Sequence, residues 1–261
     1  MTRTLSSPAE DRQIDAAVGR GYLYLWLSRA FRYPDPDLAG NLKEPALTLL
    51  EGSLDLLPEA SREPLRPVLA ELRAAVTDHD LPQLQSDHRQ VFGHIESSPC
   101  PPYETRYGSS HLFQQTQLLS DIAGFYRAFG LDLSDGAHER PDHLAVELEF
   151  LHFLCLKEAH ALEHHGSEQV ELCRDAQVKF LRDHLLPWAP SFARRLQQAA
   201  GDGFYQRLGA LMAAFLSTEA GRSGCHRTEE AVLQPIAYSP EGCSFSCGQD
   251  QQGADDLISE R

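Results

Sequence analysis

Apolar residues recur at steps of three and four positions along most of this chain. Leu118, Ile122, Phe125 and Phe129 show the spacing once, and Leu144, Leu148, Leu151, Cys155, Ala159 and Leu162 show it again. Because an α-helix has 3.6 residues per turn, each set lies on one face of a helix. No segment alternates apolar and polar residues between turn signals, as a strand would. The pattern therefore predicts an all-α protein, a single helical bundle of about nine to ten helices.

Prolines and glycines set the expected ends of the helices. A first helix spans 9–32, nearly apolar all round from Tyr22 to Leu27 and therefore buried, and Pro34 ends it. Weaker helical patterns cover 36–53, 60–77 and 81–94, and stronger ones run through 118–129, 144–162, 178–185 and 204–215. Gly130, Gly166 and Pro187 are the predicted stops of three of these helices.

The chain changes character after about residue 220, where glycines and prolines interrupt the periodicity. We therefore expect a helical domain over 1–220 and an extended or partly disordered tail over 221–261, which could lie over the domain. The cysteines of this tail, Cys225, Cys243 and Cys247, match the usual zinc spacings poorly, and reduced free thiols are the favoured interpretation. Their role is open.

Charge and hydropathy narrow the possible partners. The chain has 23 basic and 38 acidic residues, a formal charge of −15, which disfavours nucleic acid and favours a cationic partner. Solubility alone explains the excess as well. No apolar run approaches the roughly 20 residues that span a bilayer, and the first residues lack the apolar core of a secretory signal. We expect a cytoplasmic protein that does not insert into membranes.

Enzyme signatures are missing from the sequence. It contains no phosphate-binding loop of the P-loop type, no dinucleotide fingerprint and no Gly-x-Ser-x-Gly elbow. Glu149 and His152 give only one copy of the Glu-x-x-His pair that a di-iron bundle needs twice. His160 and His164 make an incomplete metal site. We predict no catalytic residue and no cofactor, with a metal-binding helical-bundle enzyme as an alternative.

One segment that composition does not explain is the proline-rich stretch at 98–108. Three prolines hold the chain extended, and Tyr103, Glu104 and Tyr107 follow at the entry to the next helix. If this part is helical, the two tyrosines share a face. The pair suits a peptide-binding groove, because tyrosine joins an apolar body to a polar tip. An interhelix linker with aromatic plugs is the plainer alternative.

A second such segment runs from 139 to 148, at the start of the clearest helix. Pro141 and Asp142 suit a helix N-terminus, whereas a protonated His143 would not, unless Glu147 one turn later compensates it. Together with Glu104, the two acids Asp142 and Glu147 would place fixed negative charge beside exposed aromatic rings. Such a surface fits an arginine-rich amphipathic peptide, since carboxylates accept bidentate guanidinium hydrogen bonds.

These two segments resemble the TorD/DmsD/NarJ family of redox-enzyme maturation chaperones. The family pattern Pro-x-Tyr-Glu-x-x-Tyr is present at 101–107, and Asp-His-Leu-x-x-Glu-Leu is present at 142–148. An upstream aromatic-x-x-Leu-Phe element is matched loosely at 88–92, with His88 in the aromatic position. The resemblance covers about residues 15–220.

The resemblance implies an all-helical cytoplasmic chaperone for the molybdopterin-containing catalytic subunit of an oxidoreductase. Such chaperones bind the N-terminal twin-arginine signal of the apoprotein, or its remnant, and delay export until the cofactor is inserted. By position, the expected recognition residues are Tyr103, Glu104, Tyr107, Asp142, His143 and Glu147. A permanent structural subunit of an oxidoreductase is a further alternative. The client, its substrate, nucleotide binding, and a monomeric or helix-swapped dimeric state are left open.

Overall fold

The computed structural model describes residues 7–78, 80–93, 98–108, 112–133, 139–225 and 233–236. These residues contain no strand and eleven α-helical segments. In chain order they are α1 Pro8–Ala30, α2 Pro36–Leu42, α3 Ala46–Asp55, α4 Glu59–Arg62, α5 Arg66–Asp78, α6 Leu81–Phe92, α7 Leu112–Ala128, α8 Leu144–His164, α9 Ser167–Phe180, α10 Leu186–Ala199 and α11 Phe204–Ser223. A 3₁₀ turn at Glu104–Arg106 and a π-helical turn at Leu181–Leu185 complete the set.

The all-α prediction is confirmed. Because α4 is a single turn and the π turn joins α9 directly to α10, the number of separate helical rods also agrees with the prediction. No helix among the described residues has both the length and the apolar character needed to cross a membrane.

The first helix and α8 form the centre of the bundle. A capping box starts α1, with Ser7 Oγ accepting from the Glu10 amide and Glu10 accepting from the Ser7 amide. As predicted, the middle of α1 is buried, and Leu23 and Leu27 are fully enclosed, although Tyr22 is exposed. Ser28 Oγ donates a hydrogen bond of 2.7 Å to the Ala145 carbonyl, which ties α1 to the first turn of α8.

A buried charge network connects four helices of the core. Arg20 of α1 donates to Glu158 of α8 at 2.5 Å and to Gln177 of α9 at 2.7 Å. The same guanidinium lies 3.6 Å from the Glu219 carboxylate of α11, which also accepts a hydrogen bond from Tyr24. Since an unpaired charge in such a position is costly, the network favours one relative placement of these helices.

The predicted stop at Pro187 is wrong. The chain leaves α9 through the π turn and enters α10 with Pro187 in its first turn, and Pro190 lies further inside α10. Proline lacks an amide donor, which is harmless at the start of a helix, and the π turn supplies the local change in hydrogen bonding. The predicted stop near Gly130 agrees with its φ of +72° beyond the end of α7.

The final helix extends slightly beyond the expected start of the tail. It runs to Ser223 and ends at Gly224, whose φ of +69° is favourable only for glycine-like residues. Residues 233–236 then lie beside α10 and the 3₁₀ turn, without helical structure. Cys243 and Cys247 lie outside the described residues.

Candidate functional site

The two family-like segments meet through main-chain hydrogen bonds. Tyr103 and His143 form an antiparallel β-bridge, flanked by a 3.0 Å bond from the Glu104 amide to the Asp142 carbonyl. A second bond of 2.9 Å runs from the Leu144 amide to the Pro102 carbonyl. We call this pairing of 102–105 with 140–144 the motif junction. It fixes the proline-rich segment against the first turn of α8.

Asp142 is the main polar link within the motif junction. Its fully buried carboxylate accepts two hydrogen bonds of 2.9 Å from Arg140, and further bonds from the Thr105 hydroxyl at 2.7 Å and the Thr105 amide at 3.3 Å. The Arg140 guanidinium also lies over the Tyr103 ring, 5.1 Å from its centroid. The charge of Asp142 is therefore compensated internally, by a bidentate pair and two neutral donors.

His143 is the N-cap of α8. Its Nδ1 accepts a hydrogen bond of 3.1 Å from the Ala145 amide, and its Nε2 lies 3.6 Å from the Glu139 carboxylate. Burial, together with the positive charges of His88, Arg32 and Arg140, lowers the pKa of His143 to about 3. The expected compensation by Glu147 is wrong, because a neutral imidazole that accepts a hydrogen bond is a cap and needs none.

Two buried carboxyl groups lie beneath the motif junction. Glu147 accepts a hydrogen bond of 3.3 Å from Trp188 Nε1, and Glu104 lies 3.3 Å from Nδ1 of His184. Burial raises the pKa of Glu104 and raises that of Glu147 strongly, and for Glu147 the negative charges of Glu104 and Asp142 add to the effect. Burial and the neighbouring negative charges therefore both favour the protonated form of Glu147.

The two tyrosines occupy different environments. Tyr107 is buried and stacks on Trp188 with 5.3 Å between ring centroids, whereas Tyr103 is half-buried and meets the His143 ring edge to face at 5.1 Å. Only a 3₁₀ turn separates them, so they do not share a helical face. Each tyrosine packs against a different partner.

The structure therefore brings the six predicted residues together but buries five of them and leaves Tyr103 half-buried. Glu104, Tyr107, Asp142, His143 and Glu147 are all at most 5 % exposed. The expectation of fixed negative charge beside exposed aromatic rings is wrong, because the two segments pair with each other and enclose their own charges. What lies beside them is a groove.

This groove runs along the first turns of α8 and has a volume of about 500 Å³. Apolar residues line most of it, among them Leu131, Leu133, Val146, Phe153 and Leu156. Among the described residues, the carboxylates of Asp132, Glu139 and Glu149 and the guanidinium of Arg32 also line it. We call it the α8 groove. It touches the motif junction at Glu139, whose carboxylate lies 3.5 Å from the Tyr103 hydroxyl.

Several residues of the site were not predicted from the sequence. Arg140 and Thr105 lie inside the two segments, and their pairing with Asp142 depends on a contact that spacing does not show. His184 and Trp188 come from the π turn and α10, outside both segments. A π turn is frequent at functional sites, but its sequence signal here is only the nearby Pro187 and Pro190.

The other candidate ligands that the structure describes are not gathered into a metal site. The His160 and His164 rings stack at 4.4 Å, and within the described part of the chain no three His, Cys, Asp or Glu side chains are arranged to hold a metal ion. Cys100, Cys155, Cys173 and Cys225 are free thiols. His88, in the loosely matched third element, packs among the rings of Tyr33, Phe92 and Tyr205, which is an aromatic role.

Comparison with known proteins places the chain in a family. Residues 58–194 match the family described as nitrate reductase delta subunit. The TorD chaperone of Vibrio cholerae is 30% identical over 208 residues, which cover 77% of this chain and 90% of that protein. The perchlorate reductase assembly chaperone of Dechloromonas aromatica is 27% identical over 78% of this chain and 90% of its own length.

A further relative is more similar over a shorter stretch. The selenate reductase assembly chaperone of Thauera selenatis is 39% identical over 117 residues, covering 45% of this chain and 58% of that protein. These relatives are named as chaperones or assembly proteins and not as catalysts. The chain belongs to the nitrate reductase delta subunit family, the TorD/NarJ group of redox-enzyme maturation chaperones, and is not an enzyme.

Proposed function

We propose that this chaperone binds the N-terminal segment of the apo catalytic subunit of a molybdopterin-dependent oxidoreductase. The segment is a twin-arginine signal or its remnant, and binding assists cofactor insertion before export or assembly, in the cytoplasm. Relatives named for selenate, chlorate and perchlorate reductases support a reductase client. The observation that carries the proposal is the α8 groove, an apolar channel with three carboxylates directly beside the motif junction.

The chemistry of the groove matches such a peptide. A signal segment joins arginines to an apolar stretch, and the groove joins carboxylates to leucine, valine and phenylalanine side chains. Carboxylates accept planar, bidentate hydrogen bonds from guanidinium groups. Glu139 and Glu149 supply this recognition in the proposal, while Phe153 and Leu156 cover the apolar part of the peptide.

The six residues predicted from the sequence have two roles in this proposal. Tyr103 and His143 form the edge of the site, since both lie within 3.6 Å of the Glu139 carboxylate. Glu104, Tyr107, Asp142 and Glu147 act as positioning residues, because they fasten the N-terminus of α8 and thereby the groove wall.

Binding of this kind involves no covalent chemistry. The peptide shifts the chaperone and its client between free and bound populations, so the action needs no cofactor on the chaperone. A disordered peptide loses conformational entropy when it becomes ordered, which keeps the affinity moderate and permits release. Gel filtration of the mature oxidoreductase is expected to show the enzyme without this chain, in contrast to a permanent subunit.

Isothermal titration of the full-length chain with a twin-arginine signal peptide tests the groove. The double change Glu139→Gln and Glu149→Gln should weaken binding at least tenfold, and so should a peptide with lysines in place of its two arginines. Glu163→Gln combined with Glu168→Gln is the matched control, since both residues are exposed and neither lines the groove. Equal affinity for the groove variant and the control would refute the proposed site.

The positioning role has its own test in the same titration. The double change Asp142→Ala and Glu104→Ala should weaken peptide binding and shift unfolding together, because it loosens the motif junction. Unchanged peptide affinity in this variant would show that the motif junction does not position the groove.

A further inference from the structure

The segment 233–236 is held against the Pro-x-Tyr-Glu-x-x-Tyr stretch. The Ile236 amide donates a hydrogen bond of 2.8 Å to the Arg106 carbonyl, and the Arg106 guanidinium donates one of 2.7 Å to the Ile236 carbonyl. Both polar groups of the Ile236 main chain are therefore satisfied by one residue of the 3₁₀ turn. We call residues 233–236 the C-terminal strap.

Two residues of α10 hold the other end of the strap. The Leu233 amide donates to Ser191 Oγ at 3.1 Å, and Arg195 donates to the Gln234 side chain. Arg195 also donates to the Pro99 carbonyl at 2.9 Å, so it joins the strap to the proline-rich segment. The Leu233 side chain packs against the hydrophobic core.

The hydrogen bonds that hold the strap are made mostly to its main chain and therefore depend little on its side chains. Three of the four bonds engage amide or carbonyl groups of the strap, and only the Gln234 bond uses a strap side chain. Recognition in which main-chain bonds supply affinity and side-chain contacts supply selectivity is common in peptide-binding proteins. The four strap residues are uncharged, and Leu233 supplies the apolar contact.

We propose that Arg106, Ser191 and Arg195 form a second peptide-docking site and that the C-terminal strap is its exchangeable occupant. An extended, uncharged segment of a partner protein with an aliphatic anchor replaces the strap by forming the same main-chain bonds. The site is separate from the α8 groove, and the inference does not depend on what the groove binds.

Exchange is controlled by the covalent connection between the strap and α11. The strap follows Gly224 by fewer than ten residues, and so short a tether gives an effective concentration in the millimolar range. A free peptide with the same contacts therefore competes poorly until one strap bond is removed. Ile236→Pro removes the amide that donates to Arg106, at a position outside the helices.

The test uses the full-length chain and a fluorescein-labelled peptide with the sequence of residues 231–238, followed by fluorescence anisotropy. The Ile236→Pro protein should bind this peptide at least tenfold more tightly than the wild type. Ile236→Val is the matched control, because it keeps the amide and a branched apolar side chain, and it should behave as the wild type. Adding Ser191→Ala to Ile236→Pro should weaken the peptide again.

Each other outcome overturns the proposal. Equal affinity of the wild type and Ile236→Pro for the peptide would mean that the strap does not occupy the site. No detectable binding to Ile236→Pro would mean that the site does not hold a peptide in trans. A peptide carrying proline at the Ile236 position should fail to bind, and its binding as tightly as the original would show that the Arg106 contact is not used.

Discussion

Tyr103 and His143 lie opposite each other in an antiparallel bridge, and their rings meet edge to face with 5.1 Å between centroids. This contact joins a proline-rich segment to the N-terminus of α8. The wall of the α8 groove therefore depends on residues that do not line it. Because of this dependence, substitutions at the motif junction should affect both stability and peptide binding. The two effects must be measured separately.

Glu147→Gln should stabilise the protein at neutral pH. The raised pKa of Glu147 means that the folded state holds the proton more tightly than the unfolded chain. Below the ordinary glutamate pKa of 4.5 both states are protonated, and as the pH rises above it the wild type loses stability that a neutral amide retains. The difference in unfolding free energy between variant and wild type should grow from pH 5 to pH 8 in urea titrations.

Glu147→Ala is the control for this prediction. It removes the acceptor of Trp188 as well as the charge and leaves space in the core, so it should destabilise the protein by about 2 kcal/mol or more at both pH values. If Glu147→Gln destabilised the protein as much as Glu147→Ala does, Glu147 would be ionised in the folded protein.

Asp142→Asn should loosen the motif junction. The change removes the bidentate pairing with Arg140 and the charged acceptor of the Thr105 hydroxyl. We expect the free energy of unfolding to fall by about 2 kcal/mol. Asp55→Asn is the matched control, because Asp55 pairs with Arg66 at 2.7 Å on the surface and such pairs contribute below about 1 kcal/mol. Chemical denaturation of both variants measures the difference, and equal losses would contradict the assigned role of Asp142.

His143→Asn should change how stability depends on pH. Folding holds His143 neutral, with a pKa of about 3, so the wild type loses stability as the pH falls from the ordinary histidine value of 6.5 toward 3. The loss has a slope of at most about 1.4 kcal/mol per pH unit. Asparagine also caps helices but does not titrate in this range. The stability of the variant relative to the wild type should therefore increase as the pH falls from 7 to 4.

Thermal unfolding of the two proteins across this range checks the His143 prediction. A constant difference in melting temperature from pH 7 to pH 4 would show that the imidazole takes up its proton in the folded state.

Gly19→Ala should destabilise the bundle, while Gly124→Ala should not. A Cβ at Gly19 would lie 2.6 Å from the Ser53 carbonyl oxygen, so α1 and α3 would have to separate, at a cost of about 1–3 kcal/mol. Gly124 is exposed within α7 and has open space around it, so alanine there should raise the free energy of unfolding by about 0.5–1 kcal/mol. Denaturant titrations measure the change in unfolding free energy for each variant. Changes of opposite sign support the close approach of α1 to α3, and changes of the same sign would contradict it.

The positions of the helices could be read from the sequence because their signals are local. The apolar spacing of Leu144, Leu148 and Leu151 and the prolines after α1 predict elements that the structure contains. Pro187 misled the prediction, because a proline can stand at the start of a helix as well as after its end, and the π turn that decides between them has no clear sequence signal.

The choice of site residues was partly predictable for the same reason. The segments around Tyr103 and His143 stand out from the helical pattern, and they do meet in space. Their exposure could not be predicted, since a charged residue looks the same in a sequence whether it faces solvent or a buried partner. Asp142 is enclosed because Arg140 and Thr105 satisfy its oxygens, and that depends on the folded contact.

The sequence by itself determined the all-helical class, the two segments that form the junction and the acidic character of the chain. Local periodicity and composition are sufficient for these, because each depends on residues close together in the chain. Only the tertiary structure decided that Glu104, Asp142 and Glu147 lie inside, that the groove beside them has other carboxylates at its wall, and that Leu233–Ile236 covers Arg106. These facts depend on burial and on pairs of residues distant in sequence, which only the packing of the helices brings together.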